Sequence, residues 1–142
     1  MVTVNLSYLS LYLVLAVGGI INSGYLFWNH HQKKPLVCPL DHDCSIVTES
    51  KWSHLFGLRN ELLGILFFIG MLVLGLTSLT TLLPSSTTLL FMIIGASLGL
   101  LFSVFLVLIQ SFVIKNYCFY CLISAIISTL LFAMSILLFR NL

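Results

Sequence analysis

Charge is what this sequence has least of. Of its 142 residues only 7% are charged, against 60% hydrophobic, and the mean hydropathy is +1.15. A soluble domain carries about one-quarter charged residues, so this composition excludes one and indicates an integral membrane protein. The scarcity is also local. Eight charged residues lie between Lys33 and Glu61, and the other two are Lys115 and Arg140. Four long apolar runs, about 6–28, 62–83, 87–114 and 119–139, therefore contain none. Each is long enough to cross a hydrocarbon core of about 30 Å, where a charge would cost several kcal/mol. The first run lacks the positive leading segment and the A-x-A site of a cleaved signal peptide, so it is read as a true span. Internal repeats and low-complexity segments are missing too, and the length suits one membrane domain over residues 1–142. A net charge of +2 indicates no partner, and no nucleic acid is expected.

The expected fold class is an all-α membrane protein, a four-transmembrane-helix bundle. Tyr25, Phe27 and Trp28 close the first run as an interfacial aromatic belt. The third run carries Gly95, Ala96, Ser97 and Gly99, which let helices approach closely. Met71, Met92 and Met134 read as packing residues, and Gln110 as an interhelical hydrogen bond. Between the first two runs lies a polar stretch, about 29–60, with Cys38, Pro39, Asp41, Asp43 and Cys44. Within it, Ser50 to Phe56 mixes polar with large apolar residues and suits a short surface half-helix.

With four spans, the connection after the first and the connection after the third lie on one side of the membrane. All four cysteines, Cys38, Cys44, Cys118 and Cys121, then share a face. Lys33, Lys34, Lys51, Arg59 and Lys115 share it as well, with Arg140 opposite. By the positive-inside rule that face is cytoplasmic. Disulfide chemistry points the other way, because cytosolic pools keep thiols reduced. The chemistry is taken as decisive, and the cysteine face is expected to be extracytoplasmic.

Cys118-Phe119-Tyr120-Cys121 opens the last run. Cysteines at i and i+3 of a helix start lie on one face, and the helix N-terminus favours thiolate over thiol. Such a pair supports reversible disulfide exchange, and at the membrane lip it has lipid-soluble electron carriers within reach. Cys38-x5-Cys44, in its polar loop, could take a disulfide from that pair and pass it outward. The competing readings are a four-cysteine zinc or iron–sulfur site and purely structural disulfides. C-x5-C is an odd ligand spacing, and a C-x-x-C bridge closes a loop too small to stabilise much, so no metal is expected. Of His30, His31, His42 and His54, only His42, between the loop cysteines, is a candidate proton acceptor.

The pattern resembles the bacterial branch of the vitamin K epoxide reductase family. The matching elements are Cys38-x5-Cys44, Ser50-x-Trp52-x3-Phe56-Gly57, Asn60-x3-Gly64 and Cys118-Phe-Tyr-Cys121, in the family's order and across essentially the whole chain. The resemblance implies that Cys118 and Cys121 are the active-site pair, with Cys121 facing a quinone of the ubiquinone, menaquinone or vitamin K type. It implies that Cys38 and Cys44 shuttle electrons from a thioredoxin-fold, DsbA-like partner. Asn60 would hydrogen-bond a quinone carbonyl, and Ser50, Trp52 and Phe56 would cap the quinone pocket. Two departures matter. The vertebrate enzymes carry a tyrosine four residues after the second active-site cysteine, where this chain has Ala125. Quinone reduction is therefore expected rather than epoxide reduction. Many bacterial relatives are fused to a thioredoxin-like domain, and here the thiol partner is expected to be a separate protein.

Overall fold

A computed structural model describes residues 6–32, 54–55, 58–80, 85–115 and 118–140. Among them the chain forms α1 (Leu6–His31), strands β1 (His54–Leu55) and β2 (Leu58–Arg59), α2 (Asn60–Thr77), α3 (Ser85–Ile109) continued by a π-helical turn (Gln110–Ile114), and α4 (Phe119–Arg140). The expected all-α architecture is what forms: these four helices are each long and apolar enough to cross a membrane. Their apolar surface points outward as well as inward. Val14, Leu98, Leu101 and Ile126 are all more than half exposed, which suits contact with lipid and would be unfavourable in water.

The helices run alternately up and down. α1 packs between α2 and α4, and α3 closes the ring against α2 and α4. Close contacts set the registers. Gly19 of α1 lies under the Phe68 ring, Gly64 of α2 beside Ser23, and Gly99 of α3 against the Phe67 ring. A Cβ on Gly19 would sit 2.5–2.6 Å from three Phe68 ring atoms. The small residues noted in the third span thus serve close approach: Ala96 is fully buried, and Gly95 faces Met71. Met71, Met92 and Met134 are core residues alongside Leu9, Phe68 and Leu131. Tyr12 is buried with them, and its hydroxyl donates to the Met71 carbonyl at 2.9 Å. A phenol at mid-bundle needs such an acceptor, because its desolvated O–H would otherwise be orphaned.

Several helix limits differ from the hydropathy pattern, those of α1 and α2 with most effect on the site. α1 continues three residues beyond Trp28 to His31. α2 ends at Thr77, six residues before Leu83. There the Thr77 and Ser78 hydroxyls donate to the carbonyls of Leu74 and Gly75, while the amides of Leu79 and Thr80 turn back to Leu76 and Thr77. α2 also starts earlier, at Asn60, which brings Glu61 into its first turn. The second span therefore does contain a charge. It is tolerated because Arg59 chelates it, Nη2 to Oε1 at 2.8 Å and Nε to Oε2 at 3.1 Å.

The half-helix expected over Ser50–Phe56 falls outside the described residues except at His54 and Leu55. Those two are extended, not helical, and pair antiparallel with Arg59 and Leu58.

Candidate active site

The registers gather four helix ends at one end of the bundle. Asn22, near the end of α1, donates through Nδ2 to the Tyr120 carbonyl at 2.9 Å and to the Ser124 hydroxyl at 2.7 Å. The Tyr25 and Tyr120 rings pack one turn further out, centroids 5.3 Å apart. Gly64 against Ser23 brings the start of α2 to the same level. The π-helical end of α3 arrives through Gln110, whose Oε1 accepts from the Cys118 amide at 3.0 Å.

At this junction Cys118 is the N-cap of α4. Its carbonyl accepts the first helical bond, from the Leu122 amide at 3.0 Å. Its sulfur accepts from the Cys121 amide at 3.3 Å. That is the position in which a serine or aspartate oxygen usually satisfies one of the open N–H groups of a helix start. Here a thiol takes the place of the oxygen, and its partner three residues on is the backbone N–H of the second cysteine. Both cysteines are free.

The arrangement holds the Cys118 thiol below its ordinary value. The largest cause is the hydrogen bond with the Cys121 side chain, and the amides of Cys121 and Tyr120 act in the same direction. Burial opposes them, as does the negative charge of Glu61. The dithiol therefore favours a thiolate at Cys118, the nucleophile of disulfide exchange.

Depth and exposure run in opposite directions at this pair. Cys121 lies about 4.5 Å further along the helix axis than Cys118. Yet Cys118 is wholly buried, packed among Ile114, Phe119 and Tyr120, while Cys121 is partly exposed. Leu122, next to Cys121, and Ala125, one turn below it, line an open groove of about 380 Å³ between α3 and α4, which neither cysteine lines, with Leu100, Ser103 and Thr129 further along. Its volume lies in the range of small-molecule sites, and its lining is overwhelmingly apolar. The Thr129 hydroxyl is turned back onto the Ala125 carbonyl.

Of the residues singled out by sequence, Cys118 and Cys121 are side by side at the helix start. Asn60 is the first residue of α2, half-buried, and does not line the groove. Cys38, Cys44, Ser50, Trp52, Phe56 and His42 lie outside the described residues. Sequence reading missed Glu61 as a neighbour of the dithiol, having begun the span after it; the Arg59-x-Glu61 spacing was the available signal. It also missed Asn22, for which an amide inside an apolar run was the only clue. Gln110 is expected to bond between helices, and it does so through the main chain of the next helix's N-cap, Cys118.

Comparison with curated proteins finds no match. Residues 10–136, most of the chain, match the model of the Vitamin K epoxide reductase family. Four apolar helices around a helix-capping dithiol agree with that match, and the protein belongs to this family of membrane oxidoreductases, which act with quinones.

Proposed function

We propose that the protein generates disulfides as a quinone-dependent thiol oxidoreductase. Electrons pass from a thioredoxin-fold partner to Cys38 and Cys44, then to Cys118 and Cys121, then to a membrane quinone. The observation that carries this reading is the capped thiol: the Cys121 side chain first, and then the Cys121 and Tyr120 amides, favour Cys118 as thiolate, with the Cys118 sulfur 3.3 Å from the Cys121 N–H. A structural cysteine needs no such assistance.

The thiol steps balance by exchange. A partner dithiol attacks the Cys38–Cys44 disulfide through a mixed disulfide, is released oxidised, and leaves both loop thiols reduced. Those thiols reduce a Cys118–Cys121 disulfide in the same way, one S–S bond breaking for each that forms. Residues 33–53 suit this transfer, since α1 ends and α2 begins at the same end of the bundle as Cys118.

The residues beside the dithiol fit a quinone: Leu122 directly after the partly exposed Cys121, and Ala125 one turn inside it, offer apolar surface. When bound, it supplies the two-electron, two-proton sink that returns Cys118 and Cys121 to a disulfide. Asn60 is the proposed donor to a quinone oxygen, and Ser50, Trp52 and Phe56 the proposed cover. Ala125 presents a methyl group and no hydroxyl, which supports quinone over epoxide as the acceptor.

In purified protein supplied with a dithiol and a soluble quinone, Cys121→Ala abolishes quinone reduction. Replacing Cys38 and Cys44 together blocks oxidation of a thioredoxin-fold protein but spares small dithiols. A double variant that oxidised the protein partner at the normal rate would overturn the relay.

A further inference from the structure

Gln110 occupies an unusual place for a polar side chain. It is 2% exposed in an otherwise apolar helix and begins the π-helical turn that ends α3. Within the turn, Phe112 and Val113 face outward, more than half exposed, while Gln110 points in. The turn closes at Lys115, which adopts φ 59° and ψ 30°, the one left-handed non-glycine among the described residues. A side chain in that region costs about 1 kcal/mol or more. π-Turns and such backbone strain concentrate where a fold has to place a functional group.

What the strained turn places is the Gln110 oxygen, 3.0 Å from the Cys118 amide. Cys118 is fully buried, so without Gln110 this amide would be a buried donor in need of an acceptor. The same residue's sulfur sits 3.3 Å from the Cys121 amide. One side chain thus anchors the main chain of the residue whose thiol caps the helix.

We propose that Gln110 is a positioning residue for the dithiol, its oxygen holding the Cys118 backbone so that the Cys118 sulfur remains on the Cys121 N–H. The proposal rests on reading Cys118 and Cys121 as the reactive pair. Gln110 touches neither sulfur; it acts through the cap. The other titratable or charged groups around Cys118 are Cys121 and Tyr120 on α4, Tyr25 of α1 against Tyr120, and Glu61 of α2 with its partner Arg59. Lys115 ends the π-turn and is exposed. A Gln110 substitution alters none of these charges.

The test uses full-length protein in lipid nanodiscs with Cys38, Cys44 and Cys121 replaced by Ser, leaving Cys118 as the sole thiol. The ultraviolet absorbance of its thiolate is followed against pH, with a Cys118→Ala protein as blank, so no reagent has to reach a buried sulfur. In Gln110→Met, which keeps the length and loses the acceptor, the midpoint moves up by about one pH unit, a tenfold loss of thiolate below both midpoints. An unchanged midpoint overturns the proposal. Should Gln110→Met not fold, hydrogen exchange at the Cys118 amide of the unsubstituted protein decides: protection supports the bond, and exchange at the rate of an open loop overturns it. Neither readout involves a quinone. If the unsubstituted protein, with all four cysteines, reduced no quinone, the proposed function would fall, and a shifted midpoint in the Cys118-only protein would leave this inference standing.

Discussion

At the scale of single residues, the site depends on what surrounds one sulfur. Cys118 is drawn toward thiolate by Cys121 and two amides, and away from it by burial and by Glu61. Glu61 lies in the first turn of its helix, held by Arg59, with its side chain 5% exposed. It is thus held close to the Cys118 thiol, whose ionisation it opposes. Its removal should have a definite sign: Glu61→Gln lowers the pH at which Cys118 ionises, and exchange with a small disulfide becomes faster at acidic pH. The rate–pH profile checks this, rising with pH through the Cys118 value and displaced to lower pH in the variant. A profile displaced upward would mean that Glu61 acts by holding structure and not by charge.

The residue scale also separates what could be read in advance from what could not. The cysteine pair was legible because C-x-x-C at a helix start needs only local geometry. Gln110 and Cys118 are eight residues apart with a π-turn and a left-handed lysine between them. Nothing in residue type or period announces either, so the contact was not. Glu61 was lost for a simpler reason. Hydropathy sets a helix start at the first apolar residue, whereas an ion pair with Arg59 lets the helix begin two residues sooner.

Among elements, the decisive contacts are those that allow helices to approach. Apolar runs placed all four spans, because length and the lack of charge suffice for that. They could not place the end of α2, where the hydroxyls of Thr77 and Ser78 compete for the last carbonyls. Nor could they give the registers, which depend on which glycine meets which ring. Gly19 under Phe68 is the tightest case between α1 and α2, since the atom displaced would belong to a rigid ring. Gly19→Ala is therefore expected to destabilise the bundle by about 1–3 kcal/mol, the usual cost of overpacking. Adding Phe68→Leu should recover part of the loss. Thermal unfolding of both single variants and the double variant measures the coupling. Simple additivity would mean that the two helices separate easily at this point.

For the molecule as a whole, the side of the membrane that the dithiol faces sets which thiol partners it can meet. The gathered helix ends put Asn22, Asn60, Gln110 and Cys118 at one end. Lys115 at that end, with Lys33, Lys34 and Lys51 in the sequence between the first two spans, argues for the cytoplasm by the positive-inside rule, and a disulfide-forming activity argues against it. We expect the chemistry to prevail. In intact cells, mild reduction followed by a membrane-impermeant thiol reagent should label Cys38 and Cys44. Labelling that requires lysis would place the site in the cytosol and favour a reductase.

The amide of Asn22 has one more consequence. Its two acceptors lie 98 and 102 residues later in the chain. Chains emerge from the ribosome N-terminus first, so this side chain is made while both acceptors are still unsynthesised. Only when α4 arrives does it find the Tyr120 carbonyl and the Ser124 hydroxyl. α4, made after the other three spans described, therefore delivers the dithiol and joins it to the first. The candidate active site is assembled only once those three spans are already in existence.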